Sequence, residues 1–226
     1  MTYEYIFLDL DGTLTDPSEG IYNSVYYALV HMGRPRPPFE AMPTFIGPPL
    51  VEGFAAVCGM SESEAERARD LFREYYPDKG IFECRLYDGI PEMLDALVRA
   101  GKRLVLATSK PEIFARRILD RFDLSRYFTY IAGSLLDESR SQKAEVIAYA
   151  LERIGNPDPA TCLMVGDRAY DMRGAALCQM DACGVLWGFG GEGELREAGA
   201  IVLAQHPCDL PLIATHEKDN NICTFP

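Results

Sequence analysis

Asp9 and Asp11 close a short apolar run, Tyr5-Ile6-Phe7-Leu8, and are followed at once by Gly12 and Thr13. Strand side chains alternate faces with period two, so aspartates two apart leave a strand on the same side. Two carboxylates about 4 Å apart repel by roughly 4 kcal/mol at an effective dielectric of ~20. A divalent cation or a shared proton removes that repulsion, and either one points to chemistry. Asp-Gly is also a common turn signal, so the pair gains meaning only from what accompanies it.

Two later strand signals end the same way. "RLVLA" runs into Thr108-Ser109-Lys110, and "CLMV" runs into Gly166-Asp167-Arg168. In an open parallel sheet the carboxyl ends of the strands lie along one edge, where ligands of such folds bind. Three polar strand ends on one edge are a stronger signal than any of them alone. Each also has an ordinary structural reading. Thr108 and Ser109 precede the helix opened by Pro111 and can cap it, and Asp171 can be a solvated helix residue. Lys110 and Arg168 are expected to be solvent or rim charges. The tyrosines Tyr22, Tyr26, Tyr27, Tyr75 and Tyr76 suit a nucleobase stack, but at helical spacing they read as helical core.

The elements that must position these residues fall into two patterns. From residue 88 onward helix and strand signals alternate. "DGIPEMLDALVRAG" is helical and stops at Gly101, "RLVLATS" is a buried strand, and Pro111 opens a helix carrying Phe114, Ile118, Leu119 and Phe122. Strand "YIAGS", helix "SQKAEVIAYALERIG", strand "CLMVGD", helix "YDMRGAALCQM", strand "CGVLWG", a short helix near "GELREAG" and strand "AIVLA" follow. Continuous apolar strands separated by helices predict an α/β fold, a Rossmann-like parallel sheet with helices on both faces. Residues 16–86 show no strand pattern. They read as helix "SEGIYNSVYYALVHMG", a proline-rich stretch, a helix near Leu50–Cys58, and another begun by a capping box at Ser61 and Glu64. The expected organisation is therefore a catalytic core, 1–15 and 87–226, with an inserted α-helical cap subdomain, 16–86. Turn-rich hinges at both of its ends suit a movable lid.

The chain has 226 residues, 48% apolar and 25% charged, as in soluble globular proteins. Its start has no basic segment and only a short apolar run, and no stretch reaches the length a membrane span needs, so a cytoplasmic location is expected. The formal net charge of −12 argues against nucleic acid and anionic membranes as partners. It also means that a phosphate site here requires local cations. Seven cysteines lie scattered without a CxxC pair, so free thiols, mostly buried, are expected. Cys223, in the polar tail, is expected to be exposed. His31, His206 and His216 mark no site.

"DLDGT", "TSK", Lys143 and "GDRAYD" resemble the four motifs of the haloacid dehalogenase-like hydrolase superfamily, over nearly the whole chain and including a cap after the first motif. "FIGPPL", "GIFECRLYDGI", "ATSKPEIFARRIL", "RSQKAEVIAYAL" and "GVLWGFG" are most similar to the phosphoglycolate phosphatase branch and its bacterial 5′-nucleotidase-like members. The resemblance implies an Mg²⁺-dependent phosphatase acting on a small phosphorylated metabolite through an aspartyl-phosphate. A nucleoside monophosphate is the first substrate class and phosphoglycolate the second; a phosphomutase of the same superfamily is the alternative of different class. Asp9 is then the nucleophile and Asp11 the general acid and base. Thr108, Ser109 and Lys143 hold the phosphoryl group. The metal set is the Asp9 side chain, the Asp11 backbone carbonyl and Asp167, with Asp171 ligating directly or orienting a bound water or Lys143. Ile46 and Gly47, in "TFIGPPL", are candidate substrate contacts from the cap. A monomer or a homodimer is expected.

Overall fold

The computed structural model describes residues 2–47, 49–137 and 139–216. In chain order the elements begin with β1 (Tyr5–Leu8), β2 (Thr15–Asp16), α1 (Ser18–His31), α2 (Leu50–Cys58), α3 (Glu62–Tyr75), β3 (Arg85–Leu86) and α4 (Ile90–Arg99). They continue with β4 (Arg103–Pro111), α5 (Glu112–Arg121), β5 (Phe128–Ser134), α6 (Lys143–Arg153), β6 (Cys162–Gly166) and α7 (Ala169–Leu177). Last come β7 (Asp181–Val185), α8 (Glu192–Glu197), β8 (Val202–Ala204) and α9 (Asp209–Thr215). They divide into two compact units, Met1–Leu14 with Leu86–Pro226, and Thr15–Arg85.

The first unit is built on a six-stranded sheet in the order β5-β4-β1-β6-β7-β8. Its strand pairings are parallel throughout. All four residues of β1 are buried, because helices cover both faces of a parallel sheet and leave no solvent side for alternation to mark. Tyr5 and Phe7 pack on one face with Val105, Met164, Val146, Ile147 and Met172, from β4, β6, α6 and α7. Ile6 and Leu8 alternate to the other face and are as fully buried. From β1 the chain proceeds outward through β4 and β5 on one side and through β6, β7 and β8 on the other. That reversal at β1 places the ligand crevice of such a sheet beside the residues following β1 and β6.

The second unit is helical, with Phe45 and Phe54 in edge contact at 5.0 Å and Phe54 fully buried. Helix α3 starts where the capping box predicts: Glu64 Oε2 accepts the Ser61 backbone N–H at 3.0 Å. Tyr22 and Tyr76 are buried, while Tyr26, Tyr27 and Tyr75 are half-buried.

The structure departs from the sequence reading in several places. β1 ends at Leu8, so Asp9 and Asp11 stand after the strand. The segment 16–86 is not free of strands: β2 and β3 pair as a two-stranded ribbon, too short for any periodicity to reveal. Helix α9, "DLPLIAT", gives no sequence signal because it is two turns long and carries Pro211, yet it buries Leu210, Ile213 and Ala214. Among the described cysteines only Cys162 and Cys183 are fully buried, and Cys208 is exposed; Cys223 lies outside the described residues. No helix of the described residues is long and apolar enough to cross a membrane.

Phe7 sits at the middle of the central strand with no exposed surface. Phe7→Ala is expected to cost about 3–5 kcal/mol. Urea unfolding followed by circular dichroism checks this, and an unchanged midpoint contradicts it.

Candidate active site

Asp9 follows β1 directly, and its backbone N–H continues the ladder to Val165 O of β6 at 3.0 Å. Asp167 follows β6, and Asp171 lies in the first turn of α7. One carboxylate oxygen from each of Asp9, Asp167 and Asp171 can be chosen so that all three lie within 4.8 Å of one another. Lys143, the first residue of α6, reaches into this group. Its Nζ stands 2.8 Å from Asp9 Oδ1 and 2.7 Å from Asp171 Oδ1, and it donates to Ala107 O of β4 at 3.0 Å. Three acceptors match the three protons of an ammonium. The Lys143 side chain is only 4% exposed, which alone among helix lysines would be costly; two carboxylates make it tolerable.

Asp11 belongs to a different pair. Lys110 Nζ lies 2.9 Å from its Oδ1 and 2.7 Å from its Oδ2, with the two side chains 7% and 16% exposed. Lys110 is therefore not the rim charge expected, because β4 runs on through Pro111 and carries it along the sheet edge. Arg168 is likewise held, its Nε 3.0 Å from Glu194 Oε1. Asp9 is also crowded by Asp167 and Asp171. Asp9 and Asp167, 158 positions apart, are brought together by parallel pairing of β1 with β6.

Thr108 is buried and its Oγ1 accepts the Lys110 backbone N–H at 3.3 Å; Ser109 is half-buried beside it. Ile46, in the second unit, is 1% exposed, and Gly47 is exposed, with φ +104°.

Burial pushes the Asp167 carboxyl well above the usual aspartate range, and the charges of Asp171 and Asp9 push the same way. Burial also raises Asp171, to about 6, with Asp9 adding and Lys143 opposing. For Lys143 burial alone would lower the ammonium value, but Asp171 and Asp9 overcome it and the net shift is upward. Asp167 Oδ2 accepts the Phe189 N–H at 2.8 Å, whereas its buried Oδ1 has no hydrogen-bond partner. An orphaned carboxylate oxygen, beside two more carboxylates that repel it, fits a hard divalent cation such as Mg²⁺.

The segment Trp187-Gly188-Phe189 follows β7 and meets the chain just after β1 and just after β6. Trp187 Nε1 donates to Thr13 O at 3.0 Å, tying the loop after β7 to the loop after β1. Gly188 lies against Asp167, where any Cβ would collide with the carboxylate-bearing side chain and with Gly12 O. Gly12, at φ +84°, faces Asp167 from the opposite loop under the same constraint. Glu194 of α8 accepts from Ala169 N at 2.8 Å and holds Arg168. No motif spacing announces such contacts, which arise only once β7 is laid beside β6.

A family model described as haloacid dehalogenase-like hydrolase matches residues 5–185. The chain belongs to that family. Proteins named 5′-nucleotidase and phosphoglycolate phosphatase are among its relatives. The 5′-nucleotidase of Pseudomonas aeruginosa is 45% identical over 196 residues, 87% of this chain and 88% of that protein. A protein named tyrosine-protein kinase PtkA, from Mycobacterium tuberculosis, is 43% identical over 187 residues; the match covers 83% of this chain and 63% of PtkA. The crystal structure of a "predicted phosphatase" from Clostridium acetobutylicum superposes with a TM-score of 0.87 at 40% identity, covering 94% of this chain and 98% of that one.

The raised carboxyls of this haloacid dehalogenase-like fold mean that the metal-free protein holds protons the unfolded chain has released. For Asp171 that window runs from the usual aspartate value near 4 up to about 6. Within it stability falls as pH rises, and above it the deficit stays in full. A bound cation offsets the deficit by mass action. In EDTA the melting temperature of the wild type is expected to decline from pH 4.5 to 6.5, and Mg²⁺ to restore it at pH 7. Asp167→Asn should flatten the decline and abolish the Mg²⁺ response. A variant stabilised by Mg²⁺ as strongly as the wild type would overturn the assignment.

Proposed function

We propose that this chain hydrolyses a small phosphomonoester, with a nucleoside 5′-monophosphate as the first substrate class. Phosphomonoester hydrolysis is the chemistry of its family's phosphatases, and the observation that carries the reading is the buried cluster of Asp9, Asp167, Asp171 and Lys143 at the carboxyl edge of the sheet. The nucleotide preference is supported by the 5′-nucleotidase relative.

In this reading Asp9 attacks phosphorus and becomes an aspartyl phosphate, and Asp11 protonates the leaving alkoxide, then takes a proton from the water that hydrolyses the intermediate. Lys143 bridges Asp9 and Asp171, so it aims the nucleophile and neutralises charge that gathers on the phosphoryl oxygens. Thr108 Oγ1 and the nearby backbone N–H groups hold those oxygens. Asp9, Asp167 and the Asp11 carbonyl, with Asp171 ligating or beside them, would hold Mg²⁺, which would supply Lewis-acid charge stabilisation. In a protein of net charge −12, Lys143 and this cation provide the local positive potential an anionic substrate needs. The unit Thr15–Arg85 enters the chain directly after the Asp9–Thr13 segment and is read as the cap that selects the substrate. Phosphoglycolate is the second substrate class. Transfer to protein tyrosine, the activity in the name of PtkA, is the second reading, and it is the weaker because this chain spans 63% of that protein.

A panel of phosphomonoesters assayed with Mg²⁺ and with EDTA tests the proposal. The expected result is metal-dependent release of phosphate, fastest from nucleoside 5′-monophosphates, and loss of turnover in Asp9→Asn. Equal rates in EDTA, or full activity of Asp9→Asn, contradict the mechanism. ATP-dependent labelling of a protein substrate without phosphatase turnover favours the second reading.

A further inference from the structure

The acidic residues of the edge are shared between two lysines on different elements. Lys143 of α6 serves Asp9 and Asp171, and Lys110 of β4 serves Asp11 through both carboxylate oxygens at once. Nothing in the reaction described above uses Lys110.

Its placement is set by backbone. β4 is nine residues long and extends past the polar Thr108 to Pro111, while β1 stops at Leu8. Lys110 is therefore carried beyond the end of the central strand to the level of the turn that holds Asp11. The Lys110 backbone N–H also closes onto Thr108 Oγ1 at 3.3 Å, which fixes the local course of the strand end. An aspartate has two side-chain torsions, and with Gly12 behind it at φ +84° the backbone alone does little to aim the carboxylate. A lysine whose side chain is 7% exposed and which meets both oxygens supplies that aim.

We propose that Lys110 is a positioning residue for Asp11, holding its carboxylate in the orientation from which it exchanges protons with the leaving group and the attacking water. The proposal rests on the reading of Asp11 as the acid and base. It differs from a role in binding substrate: a lysine that gripped the substrate would act on KM, whereas one that aims Asp11 acts on turnover and only while Asp11 is there to be aimed.

A double-mutant cycle on the full chain with its Mg²⁺, using the best phosphomonoester of the panel, separates the cases. Asp11→Asn should lower kcat by roughly 10²–10⁴-fold. Lys110→Met should lower kcat by about tenfold or more, with no rise in KM. In the Asp11→Asn background Lys110→Met should have no further effect. Lys110→Arg, which keeps the charge and the donors, should recover part of the loss. Mg²⁺ affinity measured by calorimetry should be the same in Lys110→Met as in the wild type, and melting curves confirm that each variant is folded; should Lys110→Met not fold, Lys110→Gln takes its place. Wild-type kcat in the lysine variant, a raised KM at unchanged kcat, or an equal loss in the Asp11→Asn background overturns the proposal. Wild-type kcat in Asp11→Asn overturns the acid–base reading itself, and the positioning role with it.

Discussion

Charge balance in a dry place governs this site. Asp9, Asp167 and Asp171 bring three negative charges when ionised, Lys143 brings one positive charge, and the remainder is two negative charges among residues with little or no solvent exposure. Buried ions are tolerated only when compensated, and carboxylates that lack compensation take up protons instead. The raised carboxyls of Asp167 and Asp171 express that second course in the metal-free fold. A divalent cation meets the deficit of two. The same deficit explains why Lys143 is buried without being destabilised and why Asp167 keeps an oxygen with no hydrogen-bond partner.

The scaffold follows from that requirement. Carboxylates this close must be held apart from alternatives, and the holding is done by rigid elements: the ends of β1 and β6, paired in register from Tyr5 with Cys162 to Leu8 with Val165, and the first turns of α6 and α7. Around them the chain leaves room by omission. Gly12 and Gly188 stand where a methyl group would displace the Asp167 carboxylate, and Phe189 contributes its backbone N–H. A site on loops alone would lack this precision. Asp11 is paired separately, with Lys110 of β4.

Much of the fold was legible in the sequence because apolar runs in a two-sided parallel sheet are continuous and bounded by strong punctuation. Strands β1, β4 and β6 each appear as such a run, and Gly101, Pro111 and Gly155 mark the helix boundaries beside them, whereas β7 lies at Asp181–Val185, two residues earlier than the run expected from Cys183. What escaped has a common cause. The ribbon of β2 and β3 has two residues per strand, and α9 has seven with a proline inside, so neither offers a period to detect. Within the site, Asp9, Lys143, Asp167 and Asp171 were legible as motif residues, and the structure brings these four together. Their mutual geometry was not legible, because spacing along the chain is a poor guide across a sheet. Asp11 lies two residues from Asp9 yet turns to Lys110, which sequence reading had left at the rim, and Trp187-Gly188-Phe189 reaches Asp167 only through the neighbouring strand.

The central claim is that this group of three carboxylates and one ammonium is two charges short and holds one divalent cation. A crystal of the protein grown with Mn²⁺ in place of Mg²⁺ tests it most directly through anomalous scattering. The account predicts a single strong peak within coordination distance of Asp9 and Asp167, with Lys143 still on Asp9. An anomalous map with no peak there at millimolar Mn²⁺, and the three carboxylates unmoved, would contradict it.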